Sequence, residues 1–481
     1  MPSVKFLRAP WAGHLALLLG LAFLASMSTL SCYRIPPFPK DGNVILVTVD
    51  TLRADHLGCY GYETIRTPVI DRLATGGVLF RQAYAQSNIT IPSHISILTG
   101  LYVKDHGVSE NARSRLPREI VTLGEVLKVA GFRTVAVTSN SILRPHIISG
   151  LERGFDGFYS PSKLERGAEA TNRDFFRWLK KNHRHRFFAW VHYFDPHMPY
   201  MPPQPYRELY YRDDPRDPRF ASMPDLDFPR AWRDPKSPAH RLITWLDGVR
   251  DFRYVVSQYD GEISYTDSMI GKLLEQLETL GLAQKTLVIV TADHGESLDE
   301  HGIHMRHAGL YEAVIRIPLI FWAPAVLRRP RVVDAVVKSV DIMPTILDIL
   351  DIPGPGDQMK GRTLLPLMAG GTDDGRRFAH AEHMGRSQVM VRSARWKYIK
   401  TLKQTRISDS FVLDEGQREL YDLLNDPEET VNLSAKHLGR VREFEDEITR
   451  WRASSQAGLP QQPAQPAATP DDYLKALGYV E

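Results

Sequence analysis

Cysteine is scarce in this sequence, which has only Cys32 and Cys59 among its 481 residues. Two cysteines cannot build a disulfide framework or a cysteine-rich metal site, so we expect Cys59 to be a buried structural thiol. An excess of one charge is also missing, because 60 Lys and Arg residues are balanced by 57 Asp and Glu residues. Nucleic-acid-binding proteins carry a basic face or stripe, so nucleic acid is not an expected partner. A composition of 43% hydrophobic and 24% charged residues is that of a globular protein and excludes disorder over the whole chain.

One apolar stretch near the N-terminus, Leu15–Ala25, follows the basic residues Lys5 and Arg8. A charged start, a short apolar run and small residues after it are typical of a secretory signal. Residues 9–33 contain no Lys, Arg, Asp or Glu, so an uncleaved helix would also reach across a bilayer. Secretion, an uncleaved anchor and a core helix of a cytoplasmic protein are the alternatives at this point.

Residues 29–32 resemble a bacterial lipoprotein cleavage site, at which Cys32 would become lipidated. Thr29 departs from the Leu that is usual three places before that cysteine. Export is expected with each of the signals, so we predict a protein of the periplasm or cell envelope. Its expected membrane association is through the N-terminus, by a lipid or by an anchor helix.

Apolar runs rich in β-branched residues alternate with helical patterns through the middle of the chain. This alternation predicts an α/β fold with a large central, mainly parallel sheet flanked by helices. The predicted strands are Asn43–Val49, Thr134–Thr138, Phe187–Tyr193, Thr286–Thr291 and Pro318–Trp322. The predicted helices are Pro92–Thr99 and Leu123–Val129, and residues 67–80 predict a helix that leads into a strand.

From residue 379 the pattern changes to short alternating runs, which predict a small C-terminal antiparallel-sheet α+β subdomain with a terminal helix near residues 435–452. Residues 198–238 lack periodicity and are rich in Pro, Arg and Asp, so they predict an insertion, either a lid over the site or a solvated loop. The expected divisions are a signal or anchor (1–32), a spacer (33–42), a large domain (43–375), a C-terminal subdomain (376–452) and a Pro/Ala/Gln-rich linker with a terminal segment (453–481).

Acidic and imidazole side chains follow the ends of two predicted strands. Asp50 comes directly after the first strand, and Asp293 and His294 follow the strand that begins at Thr286. Functional groups of such sheets lie at the carboxyl ends of the strands, so we expect these three side chains to meet. Mixed oxygen and nitrogen ligands suit a divalent cation, and Mn, Zn, Ca and Mg all remain open as its identity.

Thr90 lies just before a predicted helix that begins at Pro92. Its hydroxyl would face the positive end of the helix dipole and free backbone N–H groups, which suit a tetrahedral oxyanion. The alternative is that Thr90 or Ser93 is an ordinary helix cap. With a cation at the three ligands named above, the Thr90 oxygen would complete the inner coordination shell and act as a nucleophile near neutral pH.

Several histidines lie in two short stretches after the predicted strands. Asp195 and His197 follow one strand, and His301, His304 and His307 lie close together after another. His197 and His307 would bind the oxyanion of the substrate, stabilise the leaving group, or hold a second metal together with Asp195. For His301 and His304 a plain surface position is an equal alternative.

Six segments of the chain, in order, resemble the sulfatase branch of the alkaline-phosphatase superfamily, beginning with NVILVTVDTLRADHLGCYGY. They are residues 43–62, 67–83, 90–107, 187–200, 291–318 and 419–433. The resemblance implies a large α/β domain, a small C-terminal antiparallel-sheet domain and metal-assisted hydrolysis of sulfate or phosphate esters. By position it assigns metal ligation to Asp50, Asp293 and His294, the nucleophile to Thr90, and substrate contact to His197 and His307.

The sequence departs from the formylglycine-forming members of that branch at the nucleophile. Those sulfatases carry Cys or Ser there, followed by x-Pro-x-Arg, whereas this chain has Thr90 and, in place of the Arg, His94 as the candidate substrate ligand. Threonine cannot become an aldehyde by that route, because its β-carbon carries a methyl group. Thr51 also stands where a second acid is usual after Asp50, so one ligand of the standard calcium site is missing.

A threonine nucleophile with two Asp and one His as metal ligands instead resembles the phosphodiesterases, phosphonate hydrolases and phosphoglycerol transferases of the same superfamily. A formylglycine hydrate expels sulfate by collapsing to its aldehyde, but a threonine sulfate ester has no such exit. A threonine phosphate ester can be hydrolysed by activated water. We therefore expect cleavage of phosphoester or phosphonate bonds in a small-molecule, glycan or lipid ester. Sulfate-ester hydrolysis, transfer of a phospho-headgroup to an envelope glycan or lipid, and an inactive binding scaffold are the alternatives.

Overall fold

The computed structural model describes residues 35–454, except residues 113, 146, 163–164, 229, 374, 376 and 408–410. The predicted signal or anchor, with Cys32, and the segment after residue 454 lie outside these described residues. The strands are β1 (Asn43–Val49), β2 (Val78–Tyr84), β3 (Ser114–Arg115), β4 (Arg133–Thr138), β5 (Ile148–Ser149), β6 (Gly157–Tyr159), β7 (Phe187–Tyr193), β8 (Thr286–Ala292), β9 (Arg316–Trp322), β10 (Arg331–Lys338), β11 (Ala379–Glu382), β12 (Gln388–Arg392), β13 (Trp396–Thr401), β14 (Thr405–Arg406), β15 (Val412–Leu413) and β16 (Arg418–Asp422). The helices are α1 (Pro68–Gly76), α2 (Thr90–Thr99), α3 (Val103–His106), α4 (Leu123–Val129), α5 (Ala168–Asn182), α6 (Arg230–Arg233), α7 (Phe252–Thr279), α8 (Glu312–Ile315), α9 (Ile342–Ile349), α10 (Leu365–Met368) and α11 (Leu438–Ala453).

Eight strands form the central sheet in the order β10-β2-β9-β8-β1-β7-β4-β6. All neighbours pair in parallel except β9, which runs antiparallel to both β2 and β8. Every residue of β1, β7 and β8 is buried, because helices cover both faces of the sheet. The predicted mainly parallel α/β fold is confirmed, while the reversed direction of β9 was not predicted.

Helix α7, with 28 residues, is the longest helix in the described part of the chain, and it was not predicted. Its inner face carries carboxylates, which reach backbone and side-chain partners far away in the sequence. Asp267 accepts hydrogen bonds from the backbone N–H groups of Val69 and Ile70 at the start of α1, and Glu262 accepts one from the N–H of Met201. Among the described residues no helix combines the length and the apolar character that crossing a bilayer requires.

The C-terminal subdomain is a four-stranded antiparallel sheet in the order β11-β12-β13-β16, with α11 packed on it. Helix α11 buries Val441, Phe444, Ile448 and Trp451 against the sheet. This confirms the predicted antiparallel subdomain and its terminal helix. The predicted insertion, residues 198–238, contains α6 and packs against α7, and its role as a lid stays a prediction.

His106, at the end of α3, gives the fold a sensitivity to acid. Its buried imidazole accepts a hydrogen bond from the N–H of Val108 at 3.2 Å and lies 3.2 Å from the hydroxyl of Ser96 in α2. Burial lowers the pKa of His106 to about 3, whereas an unfolded histidine titrates near about 6.5. Between these values the unfolded chain binds the extra proton, so the free energy of unfolding falls with falling pH, by up to about 1.4 kcal/mol per pH unit.

We therefore expect urea unfolding to give a shallower dependence of the unfolding free energy on pH, between pH 6.5 and 4, for His106→Asn than for the unchanged protein. Asparagine keeps an acceptor for the Val108 N–H and does not titrate. Comparing slopes removes the contribution of the other histidines, which is common to both proteins. Identical slopes would show that His106 is not the responsible group.

Candidate active site

Two acidic residues meet at the carboxyl edge of the sheet because their strands are neighbours. Asp50 follows β1 and Asp293 follows β8, and the residues before them, Val49 and Ala292, pair in the parallel register. One carboxylate oxygen of each acid and one imidazole nitrogen of His294 lie within 4.8 Å of one another, and all three residues are buried. The structure therefore brings together the three metal ligands that the sequence predicts.

The ligand atoms of this cluster fit a divalent cation. Asp50 Oδ1, Asp293 Oδ2 and His294 Nε2 are buried without a hydrogen-bond partner in the described part of the chain. The remaining oxygen of each acid is fixed, since Asn140 donates to Asp50 Oδ2 at 3.3 Å and the N–H of His294 donates to Asp293 Oδ1 at 2.9 Å. Unsatisfied buried polar atoms are costly, and three of them at one point are satisfied by a cation.

The electrostatics of the cluster agree with cation binding. Burial, together with the charge of Asp293, holds the pKa of Asp50 well above its usual range. Burial opposes ionisation of Asp293 as well, but His294 and His94 bring its pKa below the usual value. Burial also lowers the pKa of His294, so its ring stays neutral, which is the form that ligates a metal.

Thr51, the position of the missing second acid, has a left-handed backbone with a φ of 53°. This conformation is strained for a β-branched residue, and it persists only where the surroundings enforce it. Here the N–H of Thr51 donates to Asp293 Oδ1 at 3.3 Å, and the Tyr259 hydroxyl donates to the Thr51 carbonyl at 2.7 Å. Thr51 thus holds a carboxylate of the candidate metal site through its backbone.

Helix α2 carries Thr90 to this cluster. The Ser93 hydroxyl donates to the carbonyl of Asp293 at 2.6 Å, which fixes the first turn of the helix against the metal ligands. His94 Nδ1 lies 2.8 Å from the carbonyl of Thr90 and 3.7 Å from Asp293 Oδ2. Thr90 itself is 2% exposed. Thr90, the predicted nucleophile, is therefore buried in the helical turn that contacts the predicted ligand Asp293 through Ser93 and His94.

The sequence predicts free backbone N–H groups at the start of α2 that would bind an oxyanion, and this prediction is wrong for the three residues after Thr90. The N–H of Ile91 donates to Asn111 Oδ1 at 2.8 Å, and the N–H of Ser93 donates to the Ile89 carbonyl at 3.2 Å. Pro92 has no N–H to offer. An oxyanion at this site must therefore be held by other groups.

His94 differs from its predicted role as a substrate ligand. Both ring nitrogens are used within the protein, because Nδ1 faces the Thr90 carbonyl and Nε2 lies 3.1 Å from the Thr48 hydroxyl. The ring is fully buried and stacks on His192 with 4.9 Å between centroids. His94 has no free nitrogen for a substrate, and the geometry favours a role in holding Thr90.

His197 and His307 flank the candidate metal-ligand cluster. The ring centroid of His307 lies 4.6 Å from that of His294 and 5.9 Å from that of His197. His197 Nδ1 is 2.7 Å from the Met198 carbonyl, so its Nε2 is the nitrogen left for a ligand. Burial lowers the pKa of both histidines to about 4, which keeps them neutral near pH 7.

Asp195 does not join these histidines, so the predicted second metal site is wrong as a set. Its Oδ2 accepts a hydrogen bond from the N–H of Ala168 at 2.9 Å, at the start of α5. Within the described residues, the one group of His, Cys, Asp and Glu side chains close enough to hold an ion is the Asp50 cluster. His301 instead stacks on Tyr311 at 3.7 Å between centroids, and His304 is half-buried.

Sequence reasoning missed four polar residues that shape the site. Asn140 holds Asp50, Asn111 caps α2, and Asn88 Nδ2 donates to the His307 carbonyl at 2.7 Å. Glu296 lies buried with its Oε1 3.6 Å from His307 Nδ1, and burial raises its pKa to about 7. Asn140 was recognisable as a polar residue just after a buried strand, but a single asparagine in a loop carries no further signal.

The sequence and the fold of this chain are similar to those of known hydrolases. The family model "Sulfatase" matches residues 42–352, and the model "N-sulphoglucosamine sulphohydrolase, C-terminal" matches residues 299–452. An arylsulfatase of Clostridium perfringens is 25% identical, covering 81% of this chain and 90% of that protein. The multifunctional alkaline phosphatase superfamily protein PehA of Trinickia caryophylli is 26% identical, covering 86% and 95%. The crystal structure of a phosphonate monoester hydrolase of Agrobacterium radiobacter has the same fold, with a TM-score of 0.68, 22% identity and coverage of 86% and 95%.

Proposed function

The chain belongs to the sulfatase family and is a sulfuric or phosphoric ester hydrolase, and from this premise we propose that it cleaves phosphate-ester or phosphonate-ester bonds with Thr90 as the covalent nucleophile. The observation that carries the proposal is the convergence of three unpartnered ligand atoms, on Asp50, Asp293 and His294, beside the first turn of α2. A divalent cation held by these three residues would lower the pKa of the threonine hydroxyl and draw charge from the ester. The mixed oxygen and nitrogen ligand set favours Mn or Zn.

The residues around Thr90 have defined tasks in this proposal. Ser93 and His94 hold the first turn of α2 against Asp293, so the hydroxyl side of Thr90 keeps one position relative to the ligands. Because the site is buried, water competes little with the nucleophile and electrostatic interactions are strong. Nδ1 of the neutral His197 ring donates to the Met198 carbonyl, so Nε2 carries no proton and accepts a hydrogen bond or a proton from the substrate or the attacking water.

His307 acts with Glu296 in the proposed reaction. Glu296 Oε1 lies 3.6 Å from His307 Nδ1, and neither atom has a hydrogen-bond partner in the described part of the chain. A small approach of the two groups when substrate binds would orient the ring and leave Nε2 to face the substrate. Neutral histidines suit this task, because they can donate a hydrogen bond and accept a proton within one cycle.

The choice of phosphorus over sulfur follows from the chemistry of Thr90. A threonine phosphate or phosphonate ester is released by attack of water at phosphorus, whereas a threonine sulfate ester lacks the aldehyde exit that a formylglycine provides. The names of two relatives support this choice, since one is a phosphonate monoester hydrolase and one is called multifunctional. Sulfate-ester hydrolysis is the second candidate, because another relative is an arylsulfatase.

The substrate class can be tested directly with the purified full chain. We expect kcat/KM for an aryl phosphonate monoester or an aryl phosphodiester to exceed that for the matching aryl sulfate by at least about tenfold, which is about 1.4 kcal/mol of transition-state stabilisation. A chelator should remove all three activities, and Mn or Zn should restore them. A preference for the aryl sulfate would overturn the phosphorus chemistry while leaving the family membership intact.

Export and membrane attachment complete the proposal. The uncharged stretch 9–33 after Lys5 and Arg8 has the pattern of a signal or an anchor, and Cys32 offers a lipidation point. We place the catalytic domain outside the cytoplasm, attached to a membrane through this segment. The substrate is then a small-molecule, glycan or lipid ester of the envelope or its surroundings.

A further inference from the structure

The amino edge of the central sheet, opposite the candidate active site, carries a concentration of positive charge. Six basic residues make up this surface, which we call the basic edge: Lys40, Arg133, Lys180, Lys181, Arg184 and Arg186. Five of them are exposed, and Arg186 is half-buried with its guanidinium 3.8 Å from the centre of the Phe132 ring. The sequence as a whole has a net charge of only +3, so the charge is unevenly distributed.

The topology brings these six residues to one edge. Arg133 begins β4 and Arg186 directly precedes β7, and the N–H of Arg133 donates to the Arg186 carbonyl at 2.9 Å. Helix α5 ends at Asn182, and only four residues lie between it and the start of β7, so its last turn lies at the same edge. Lys40 precedes β1, the strand next to β7 in the sheet.

The positive charge of the basic edge is poorly neutralised. Lys180, Lys181 and Arg184 have no ion-pair partner among the described residues. The acids on this side of the sheet include Asp41, bound by Lys285 at 2.6 Å, Asp156, bound by Lys128 at 2.8 Å, and Glu278 near the end of α7. A field of this sign attracts an anionic surface.

An exposed apolar side chain lies beside the charges. Val129, the last residue of α4, is 90% exposed and stands four residues before Arg133. Basic residues next to an exposed aliphatic group are the combination found on surfaces that rest on phospholipid headgroups.

The uncharged N-terminal stretch joins the protein at this same edge. The Phe38 ring packs on Gly42, immediately before β1, so closely that a methyl group on Gly42 would come within 2.2 Å of the ring. Ile35 and Phe38 also contact the main hydrophobic core. Four residues separate Tyr33 from Phe38, and the five steps between these two residues span at most about 17 Å.

We propose that the basic edge lies on an anionic phospholipid surface when the N-terminal segment is in the membrane, and that it fixes the orientation of the enzyme. This inference rests on the membrane attachment in the proposed function, but not on the catalytic chemistry. The N-terminal segment supplies the attachment, and the basic edge adds an electrostatic contribution that favours one orientation on an anionic surface. The spacer allows the charges to reach the headgroups, where they act over a Debye length of about 8 Å at physiological ionic strength.

The orientation has a consequence for the substrate. Strand β1 has seven residues and runs from the basic edge to Asp50, a length of about 23 Å. With the amino edge on the bilayer, the active site opens on the far side of the sheet. The substrate then arrives from the aqueous or glycan side, and a phospholipid headgroup of the same membrane does not reach Thr90.

Lysine footprinting on vesicles tests the orientation with the full chain. The protein is reconstituted with vesicles of neutral phosphatidylcholine, with and without one quarter anionic phosphatidylglycerol, and acetylated with an amine-reactive reagent. We expect Lys180 and Lys181 to react at least about fivefold more slowly on the anionic vesicles. A basic residue near an anionic membrane gains about 1 kcal/mol, which corresponds to about a fivefold change in the fraction of lysine that is free to react. In 1 M NaCl, where the Debye length is about 3 Å, the difference should vanish.

A matched pair of triple charge reversals separates the basic edge from a general charge effect. K180E/K181E/R184E should lose the protection of Lys40 on anionic vesicles, whereas K403E/K436E/R442E, at exposed positions of the C-terminal subdomain, should keep it. Flotation with neutral vesicles reports the N-terminal anchor separately from the footprint. Equal protection of Lys180 and Lys181 on neutral and anionic vesicles would overturn the inference, as would protection of Lys403 and Lys436 in their place. It would also be overturned if a soluble polyanion protected Lys180 and Lys181 equally well. Failure of the protein to float with either vesicle would overturn the membrane attachment on which the inference rests.

Discussion

Thr90→Ala is expected to reduce kcat/KM for the preferred aryl ester by at least about 10³-fold, because removal of a covalent nucleophile leaves only binding and electrostatic assistance. The folded structure should be unchanged, since α2 is fixed by Ser93 and His94 and not by the Thr90 side chain. Alanine is also a good helix former, so the first turn of α2 should persist. The measurement is steady-state kinetics with an aryl phosphonate, phosphodiester and sulfate, with the thermal transition as the test of folding.

Thr90→Ser is the matched control for that substitution. Serine keeps the hydroxyl and loses only the methyl group, so we expect activity within about tenfold of the unchanged enzyme. Rapid quenching during turnover, followed by peptide mass spectrometry, should find the ester adduct on the peptide that contains residue 90 in both the Thr and Ser forms. Substantial activity in Thr90→Ala, or an adduct on another residue, would remove the nucleophile role from Thr90.

Asp50→Asn is expected to have two opposite effects. It should abolish high-affinity binding of a divalent cation and reduce activity by at least about 10³-fold, because one of two carboxylate ligands is lost. In the presence of a chelator it should raise the free energy of unfolding by about 1–3 kcal/mol, because a neutral amide replaces a carboxylate buried beside Asp293. Calorimetric titration with Mn or Zn, and urea unfolding at pH 8 with a chelator, measure the two effects.

Asp334→Asn serves as the control, because Asp334 is an exposed acid paired with Arg81 on the surface. It should change the unfolding free energy by less than about 0.5 kcal/mol and leave cation binding unaltered. If Asp50→Asn lowered the free energy of unfolding of the chelated protein, repulsion between Asp50 and Asp293 would not destabilise the site without a cation. Unchanged cation affinity in that variant would exclude Asp50 as a ligand.

The sequence predicts the centre of the fold well because the responsible signals are local. Strands β1 and β7 were predicted with their observed bounds, since unbroken runs of apolar and β-branched residues mark strands buried on both faces. Asp50, Asp293 and His294 were predicted for the same reason, because they follow such strands. Their convergence needs only the rule that parallel strands end at one edge.

Other features escaped prediction because their cause lies far away in the sequence. Helix α7 has a buried face with carboxylates such as Asp267, whose partners Val69 and Ile70 precede it by almost 200 residues. Local periodicity cannot distinguish such a face from a solvated one. The prediction for Asp195 was wrong for a related reason. Its position close to His197 in the sequence suggested a metal ligand, but its carboxylate accepts a hydrogen bond from the start of α5.

Asn88 connects the two parts of the molecule through one amide side chain. Its Nδ2 donates to the His307 carbonyl at 2.7 Å, and its Oδ1 accepts from the N–H of Met384 at 3.1 Å, just after β11. A change in the loop around Met384 can therefore shift His307 without any substitution in the large domain. Substitutions in the C-terminal subdomain can therefore change substrate selectivity through the position of His307. The metal ligands and Thr90, which determine reactivity, lie in the large domain and would stay unchanged.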